Sequence, residues 1–294
     1  MKNVVVDLGN YNIKYYGDRK GSFSAKYSTK FNPNEEMYER IQVDGQTVFI
    51  GIGSLSLEFN KIKKNYLGQL LYGINLATNE SEINLCLLLP VVQIPNKYDM
   101  INKLRGTTFN CIINGNHRTI NINKVAVLPE GYCGYYSFDE SEDTLVIDIG
   151  SRTINFDAFC NGKLVESFTE KLGVFNLYST IKDIQNSTET AYVEEEIERL
   201  IANNKINVDS RIYQDFCIGD TISSIKYNFY DDVINRAKAK VNVETFKVYF
   251  IGGGALILKD IIEANMTAVV HPEAQYANII GAHRLCQSVW KDLN

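Results

Sequence analysis

The sequence predicts an α/β protein made of two related halves that face each other across a cleft. Three observations carry this. The chain has 294 residues, enough for about two domains, and its 45% apolar and 22% charged residues make an ordinary globular mixture. Strand-like and helix-like stretches alternate along it, the pattern of mixed sheets covered by helices. One unit occurs twice, a β-branched run ending in Asp-x-Gly and followed by a second strand, with Asp7 and Asp148 about one domain length apart.

Taken in order, Val4-Val5-Val6 reads as a short strand ending at Asp7-Leu8-Gly9-Asn10, and Ile13-Lys14-Tyr15-Tyr16 resumes a strand. Residues 65–78 place apolar side chains at helical spacing. Residues 83–89 form a continuous apolar run ended by Pro90, as in a strand buried on both faces. Residues 107–114 and 118–127 read as further strands. The second unit then starts with a strand at 144–147, the turn Asp148-Ile149-Gly150-Ser151-Arg152-Thr153, and an alternating strand at 154–159. Helices are expected at 173–184, 192–202 and 222–241, the last carrying Tyr227 and Tyr230. A buried strand at 246–251, a helix at 255–263 and a terminal helix at 276–293 complete the chain. No Gly/Ser/Pro linker separates the halves, so they should be closely joined.

Composition excludes several classes. The formal charge is −5 with a pI near 5.4, which lacks the basic excess of a protein that grips nucleic acid mainly through phosphates. The basic run Lys61-Ile62-Lys63-Lys64 reads as a solvated loop, with a local nucleic-acid contact as the alternative. Six cysteines, Cys86, Cys111, Cys133, Cys160, Cys217 and Cys286, are scattered without a C-x-x-C pair and read as reduced core thiols of a cytoplasmic protein, not as a zinc site or disulfide frame. Asp7 interrupts the first apolar stretch too early for a signal-peptide core. The longest apolar stretch, 85–92, is broken by Pro90 and is too short to span a membrane.

Chemistry concentrates in the turns. In Asp7-Leu8-Gly9-Asn10-Tyr11-Asn12-Ile13-Lys14, Gly9 lets backbone N–H groups approach a phosphate, and Asn10 and Asn12 add donors. An acid at the strand end suits a hydrated Mg²⁺. The other reading is an ordinary hairpin turn. A second such turn around Asp148, Gly150, Ser151, Arg152 and Thr153 would let two halves clamp one polyphosphate. A third element, Ile251-Gly252-Gly253-Gly254-Ala255, follows a strand and opens a helix, offering a flat surface on which a nucleoside can stack while the helix start faces its phosphates. Neither G-x-G-x-x-G nor G-x-x-x-x-G-K-[ST] occurs, which removes the main support for Rossmann and P-loop readings.

The ordered set Asp7-Leu8-Gly9-Asn10 with Lys14, Val127-Leu128-Pro129-Glu130-Gly131, Asp148-Ile149-Gly150-Ser151-Arg152-Thr153, Ile251-Gly252-Gly253-Gly254-Ala255 and Ile280-Gly281-Ala282 resembles the phosphate-1, connect-1, phosphate-2, adenosine and connect-2 motifs of the ATPase superfamily that holds actin, heat-shock chaperones and sugar kinases. Together they span nearly the whole chain. Leu172-Gly173-Val174 and Ala274-Gln275-Tyr276-Ala277-Asn278 add a resemblance to the plasmid-segregation actins of the ParM type.

The resemblance implies an actin-like fold, two ribonuclease-H-like α/β halves around a nucleotide cleft. It divides the chain into a first domain at 1–144 with a smaller inserted subdomain around 30–75, a second at 145–270 with a helical subdomain around 173–244, and a C-terminal helix at 271–294 packing back on the first. It implies an ATP- or GTP-driven filament that hydrolyses its nucleotide. Asp7 and Asp148 would hold Mg²⁺ through water, and the two loops would cradle the phosphates. Glu130 would orient or deprotonate the attacking water, its other reading being an acid favoured at a helix N-terminus. Lys14 lies near the phosphates or on a strand surface. Glu195 and Arg199, at i, i+4, serve the ribose or purine, or belong to a solvated acidic face with Glu194 and Glu196. Asn10 stands where actins often have Ser or Thr, and Asn155 where segregation relatives tend to have Asp; either departure would alter nucleotide release or hydrolysis rate. Arg152 adds a phosphate contact or points to solvent. The implied partners are further copies of the chain, head to tail, and a DNA-binding adaptor of the ParR type, so that nucleic acid is touched only indirectly and no membrane is involved. A small-molecule kinase or a nucleotide-gated regulator of the same superfamily is the alternative.

Overall fold

The computed structural model describes residues 1–30, 34–58, 60–139, 142–186, 193–202 and 218–291. It separates into two compact units: Met1–Asp139 with Tyr276–Asn294, and Glu140–Gln275.

The first unit is organised by β1 (Lys2–Asp7), whose Val4, Val5 and Val6 are fully buried. It continues through β2 (Asn12–Tyr16), β3 (Lys20–Ser24), β4 (Tyr27–Ser28), β5 (Arg40–Val43) and β6 (Gln46–Ile50). Then come α1 (Leu67–Ala77), β7 (Glu82–Leu89), α2 (Lys97–Leu104), β8 (Thr107–Ile113), β9 (Asn116–Pro129) and the one-turn α3 (Tyr132–Tyr135). Among the described residues these strands form one sheet in the order β3-β2-β1-β7-β9-β8-β5-β6-β4. β7 runs parallel to both β1 and β9, and seven of its eight residues are buried. That is why it reads as an unbroken apolar run: neither face meets water.

The second unit comprises β10 (Thr144–Ile149), β11 (Ile154–Cys160), β12 (Lys163–Glu170), α4 (Val174–Asn186), α5 (Glu194–Ala202), α6 (Ile218–Lys238), β13 (Lys247–Ile251), α7 (Gly253–Ile257), α8 (Lys259–Asn265) and β14 (Ala268–Val270). Its sheet runs β12-β11-β10-β13-β14, and its core gathers Ile147, Ile149, Phe156, Leu177, Val233 and Phe250. α9 (Ala277–Lys291) closes the chain and belongs to the first unit, where Ile279, Ala282, Cys286 and Trp290 pack with Val5, Cys86 and Leu88.

The α/β class and the twice-used strand–turn–strand unit stand as expected. One expected helix does not: residues 255–263 are parts of two short helices whose axis turns at the fully buried Leu258, which accepts from Ile262 and donates to Gly254. Hairpins β5–β6 and β11–β12, with strands β3 and β14, add to the sequence reading. The described cysteines are free thiols; Cys217 and Tyr192 lie outside the described residues. No described helix is long and apolar enough to cross a membrane.

Candidate nucleotide site

In the first unit, antiparallel pairing of β1 with β2 sets Asp7 directly opposite Lys14. The turn between them is tight, because a side chain on Gly9 would strike the carbonyl of Asn12. Asp7 is buried. Its Oδ2 accepts from Lys14 Nζ at 3.2 Å and its Oδ1 from Lys61 Nζ at 2.6 Å. Lys61 Nζ also donates to Glu130 Oε1, and Lys64 Nζ donates to Asn10 Oδ1. Glu130 is buried at the end of β9, whose parallel neighbour β7 supplies the Leu89 carbonyl to the Glu130 N–H at 2.8 Å.

Burial alone would push the Asp7 carboxyl up, yet the Lys61 and Lys14 charges hold it down at about 2. Burial likewise works against the Lys61 ammonium, and the carboxylates of Asp7 and Glu130 more than reverse that, raising it above its ordinary range. Asp7 and Lys61 both stay ionised at neutral pH.

The basic run is therefore not a solvated loop. Lys61 is only 3% exposed. Its backbone N–H donates to Gln93 Oε1 at 2.9 Å, and the next residue, Ile62, is buried in the core. Only Lys63 of the run is exposed.

The connect-1 turn is anchored from the chain's far end. The Gly131 N–H donates to Asn278 Oδ1 at 2.9 Å, and at Gly281 α9 comes so close to α3 that any side chain there would run into the Cys133 carbonyl. Lys14 is half-buried and paired, so it is not a free surface lysine.

In the second unit the same turn recurs. The Gly150 N–H donates to the Thr153 carbonyl at 2.9 Å, and the start of α4 clips the turn from outside: Val174 N–H to the Gly150 carbonyl at 3.1 Å, Phe175 N–H to the Ser151 carbonyl at 2.9 Å. Arg152 is half-buried, with its guanidinium 5.6 Å over the Phe175 ring. Asp148 is buried on β10, and its Oδ1 abuts Gly252, where a Cβ would stand 2.6 Å from it; Gly252 also has φ +85°. Gly254 lies against Ile149 and Val174, whereas a side chain on Gly253 would meet nothing within 4 Å. Of the three glycines, Gly253 alone offers an open backbone surface.

Arg199 sits on α5 with its side chain 74% exposed, 3.8 Å from Glu196 Oε1; the Glu195 side chain lies outside the described residues. No described His, Cys, Asp and Glu residues converge as a metal cluster. The first turn gathers three lysines, Lys14 and Lys61 on Asp7 and Lys64 on Asn10. Asp7 fits a metal poorly, since both its oxygens already accept from lysines.

The fold and the two turns define a two-unit α/β protein of the actin-like class. Residues 6–132 match the family model described as actin-like proteins N-terminal domain, and residues 146–264 that of the archaeal actin homologue MreB-like, C-terminal. The chain belongs to the actin-like superfamily and is similar to proteins of the ParM type. No curated protein matches it by sequence. Among solved structures, the archaeal actin homologue Ta0583 aligns with a TM-score of 0.82 at 16% identity, over 98% of this chain and 100% of that one. The same protein in complex with ADP aligns at 0.80 and 15% identity, with the same coverage. A 15-stranded ParM filament from Clostridium botulinum aligns at 0.77 and 16% identity, over 98% and 99%. At such identities the likeness establishes the fold.

Proposed function

We propose that this chain is a nucleotide-dependent, filament-forming NTPase that moves or segregates plasmid DNA through an adaptor protein. The observation that carries the nucleotide reading is the buried Glu130 held beside the Asp7–Lys14 turn by Lys61. Phosphoryl transfer to water needs donors on the phosphates and a placed acceptor near the nucleophile. Lys14, Lys64, Asn10 and the backbone of the two glycine turns are the donors; Glu130 is the acceptor. ATP or GTP is the fuel, with Gly252, Gly253 and Gly254 serving the nucleoside. Mg²⁺, when it accompanies the triphosphate, neutralises developing charge, and Asp148 is the residue that would hold it through water.

The filament reading draws on the ParM filament neighbour and on head-to-tail assembly, which gives open strands when the contact does not close into a ring. The acidic net charge suits a filament that reaches DNA through a ParR-type adaptor, and the scattered thiols suit the cytoplasm. The test is right-angle light scattering of the purified protein with Mg²⁺ and ATP, then GTP, followed by negative-stain microscopy. Nucleotide-dependent scattering with visible filaments is expected. Bound nucleotide without polymer, across salt and protein concentration, would favour a small-molecule kinase or nucleotide-gated regulator. Glu130→Ala should still assemble but release phosphate more slowly, giving longer-lived filaments; unchanged turnover removes Glu130 from the chemistry.

A further inference from the structure

Lys61 is the feature of this site that a hydrophilic run would not announce. A buried ammonium costs several kcal/mol of lost hydration unless opposite charge repays it. Here it is met on two sides, by Asp7 Oδ1 at 2.6 Å and by Glu130 Oε1. The residue is built in. Gln93 holds its backbone, the Asn60 side chain accepts from the Ile62 N–H at 2.9 Å, and Ile62 is packed in the core. With Lys14 on the other oxygen of Asp7, two carboxylates face two ammonium groups, and the set is electrically balanced. A divalent cation seeks carboxylate oxygens in excess of the local positive charge. This set has none to spare.

We propose that Lys61 is a positioning residue that serves as a built-in cation for Asp7 and Glu130, holding the two carboxylates together in the place where a divalent ion would otherwise do so. The first unit's share of the site is then assembled before any metal or nucleotide arrives. This deepens the reading of Asp7 and Glu130 as parts of a nucleotide site, and reassigns Asp7 from metal holder to lysine anchor.

The test uses the metal alone. Full-length wild type, Lys61→Met and Lys61→Arg are stripped with chelator and melted with increasing Mg²⁺, then Mn²⁺, without nucleotide. Wild type should shift by less than about 1 °C. Lys61→Met should melt lower and be raised by roughly 5 °C by millimolar metal, because two facing carboxylates now lack their counter-ion. Lys61→Arg should ignore metal as wild type does, which a lysine of merely structural bulk would not predict. A wild-type response equal to that of Lys61→Met, or a Lys61→Met protein blind to metal, overturns the proposal. Should Lys61→Met fail to fold, Mn²⁺ titration followed by electron paramagnetic resonance decides between wild type and Glu130→Gln: equal binding supports the built-in cation, and weaker binding in the variant makes Glu130 a metal ligand and sinks it. No nucleotide enters either experiment. Binding of labelled ATP or GTP to wild type is measured separately, and its absence would remove the proposed function while leaving the Lys61 result to stand or fall by itself.

Discussion

The two acid turns share one plan and differ in charge. In each, the aspartate pairs across the hairpin with the residue seven positions later, Asp7 with Lys14 and Asp148 with Asn155, and in each the glycine lies against the carbonyl three residues on. At the first, lysines meet the acid from two elements. At the second, the opposite residue is neutral, and Asn155 Oδ1 accepts from Thr169 Oγ1 at 2.8 Å instead. The backbone geometry of such a turn is thus separable from its electrostatics: Gly and strand register make the turn, while the residue opposite the acid sets whether a lysine meets it there.

The largest expected break in this comparison is Asp7→Asn, which leaves a buried lysine short of one partner. We expect a loss of about 3 kcal/mol in urea unfolding, against about 1 kcal/mol for Asp148→Asn, whose cross-strand neighbour Asn155 carries no charge. Equal losses would show that the lysines do not distinguish the turns. Next comes the glycine run facing Asp148. Gly252→Ala should cost about 2 kcal/mol, because its φ is positive and the added carbon meets Asp148 Oδ1, whereas Gly253→Ala should stay within about 0.5 kcal/mol. If Gly253→Ala weakens nucleotide binding at unchanged stability, the open backbone at that position touches the nucleoside.

Lys14→Asn makes the first turn resemble the second and gives a smaller effect that depends on pH. Asp7 is depressed from 3.8 to about 2, so its contribution, about 2 kcal/mol, is complete above the ordinary carboxylate pKa and is lost as pH falls from about 4 towards 2. With Lys61 alone the depression shrinks. The variant should be about 1 kcal/mol weaker at pH 7 and lose less than wild type between pH 4 and pH 2.5; parallel acid sensitivities would contradict this. Smallest is Arg152→Ala at the second turn, which removes a cation–π contact worth about 0.5 kcal/mol. A fall in nucleotide affinity beyond about threefold would give Arg152 a phosphate contact as well.

Much of this was legible in the chain. Both acid turns, the apolar run that becomes β7 and the terminal helix are written in local pattern, and local pattern is what a sequence displays. Lys61 was not, because its burial is decided by partners at Asp7, Gln93 and Glu130 that no window contains. A signal existed: two acids destined for buried strand ends require a cation, and Ile62 inside the lysine run marks that loop as turning inward. The hairpins β5–β6 and β11–β12 were signalled too, by Asp44-Gly45 and Asn161-Gly162, and β8–β9 by Asn114-Gly115. All six residues take positive φ, the conformation such pairs favour in two-residue turns. β12 hid for another reason, since its first four residues are exposed at a sheet edge and carry no apolar alternation.

The return of α9 to the first unit has a consequence for how the molecule is made. Residues 1–139 are made before residues 277–291, yet Val5, Cys86 and Leu88 pack with Ile279, Ala282, Cys286 and Trp290, and the Gly131 N–H donates to Asn278. The second unit, continuous in sequence, can fold while the first still waits. A chain stopped before residue 277 thus lacks the clasp on the Glu130 turn, so that the first unit is completed only after the second has been made.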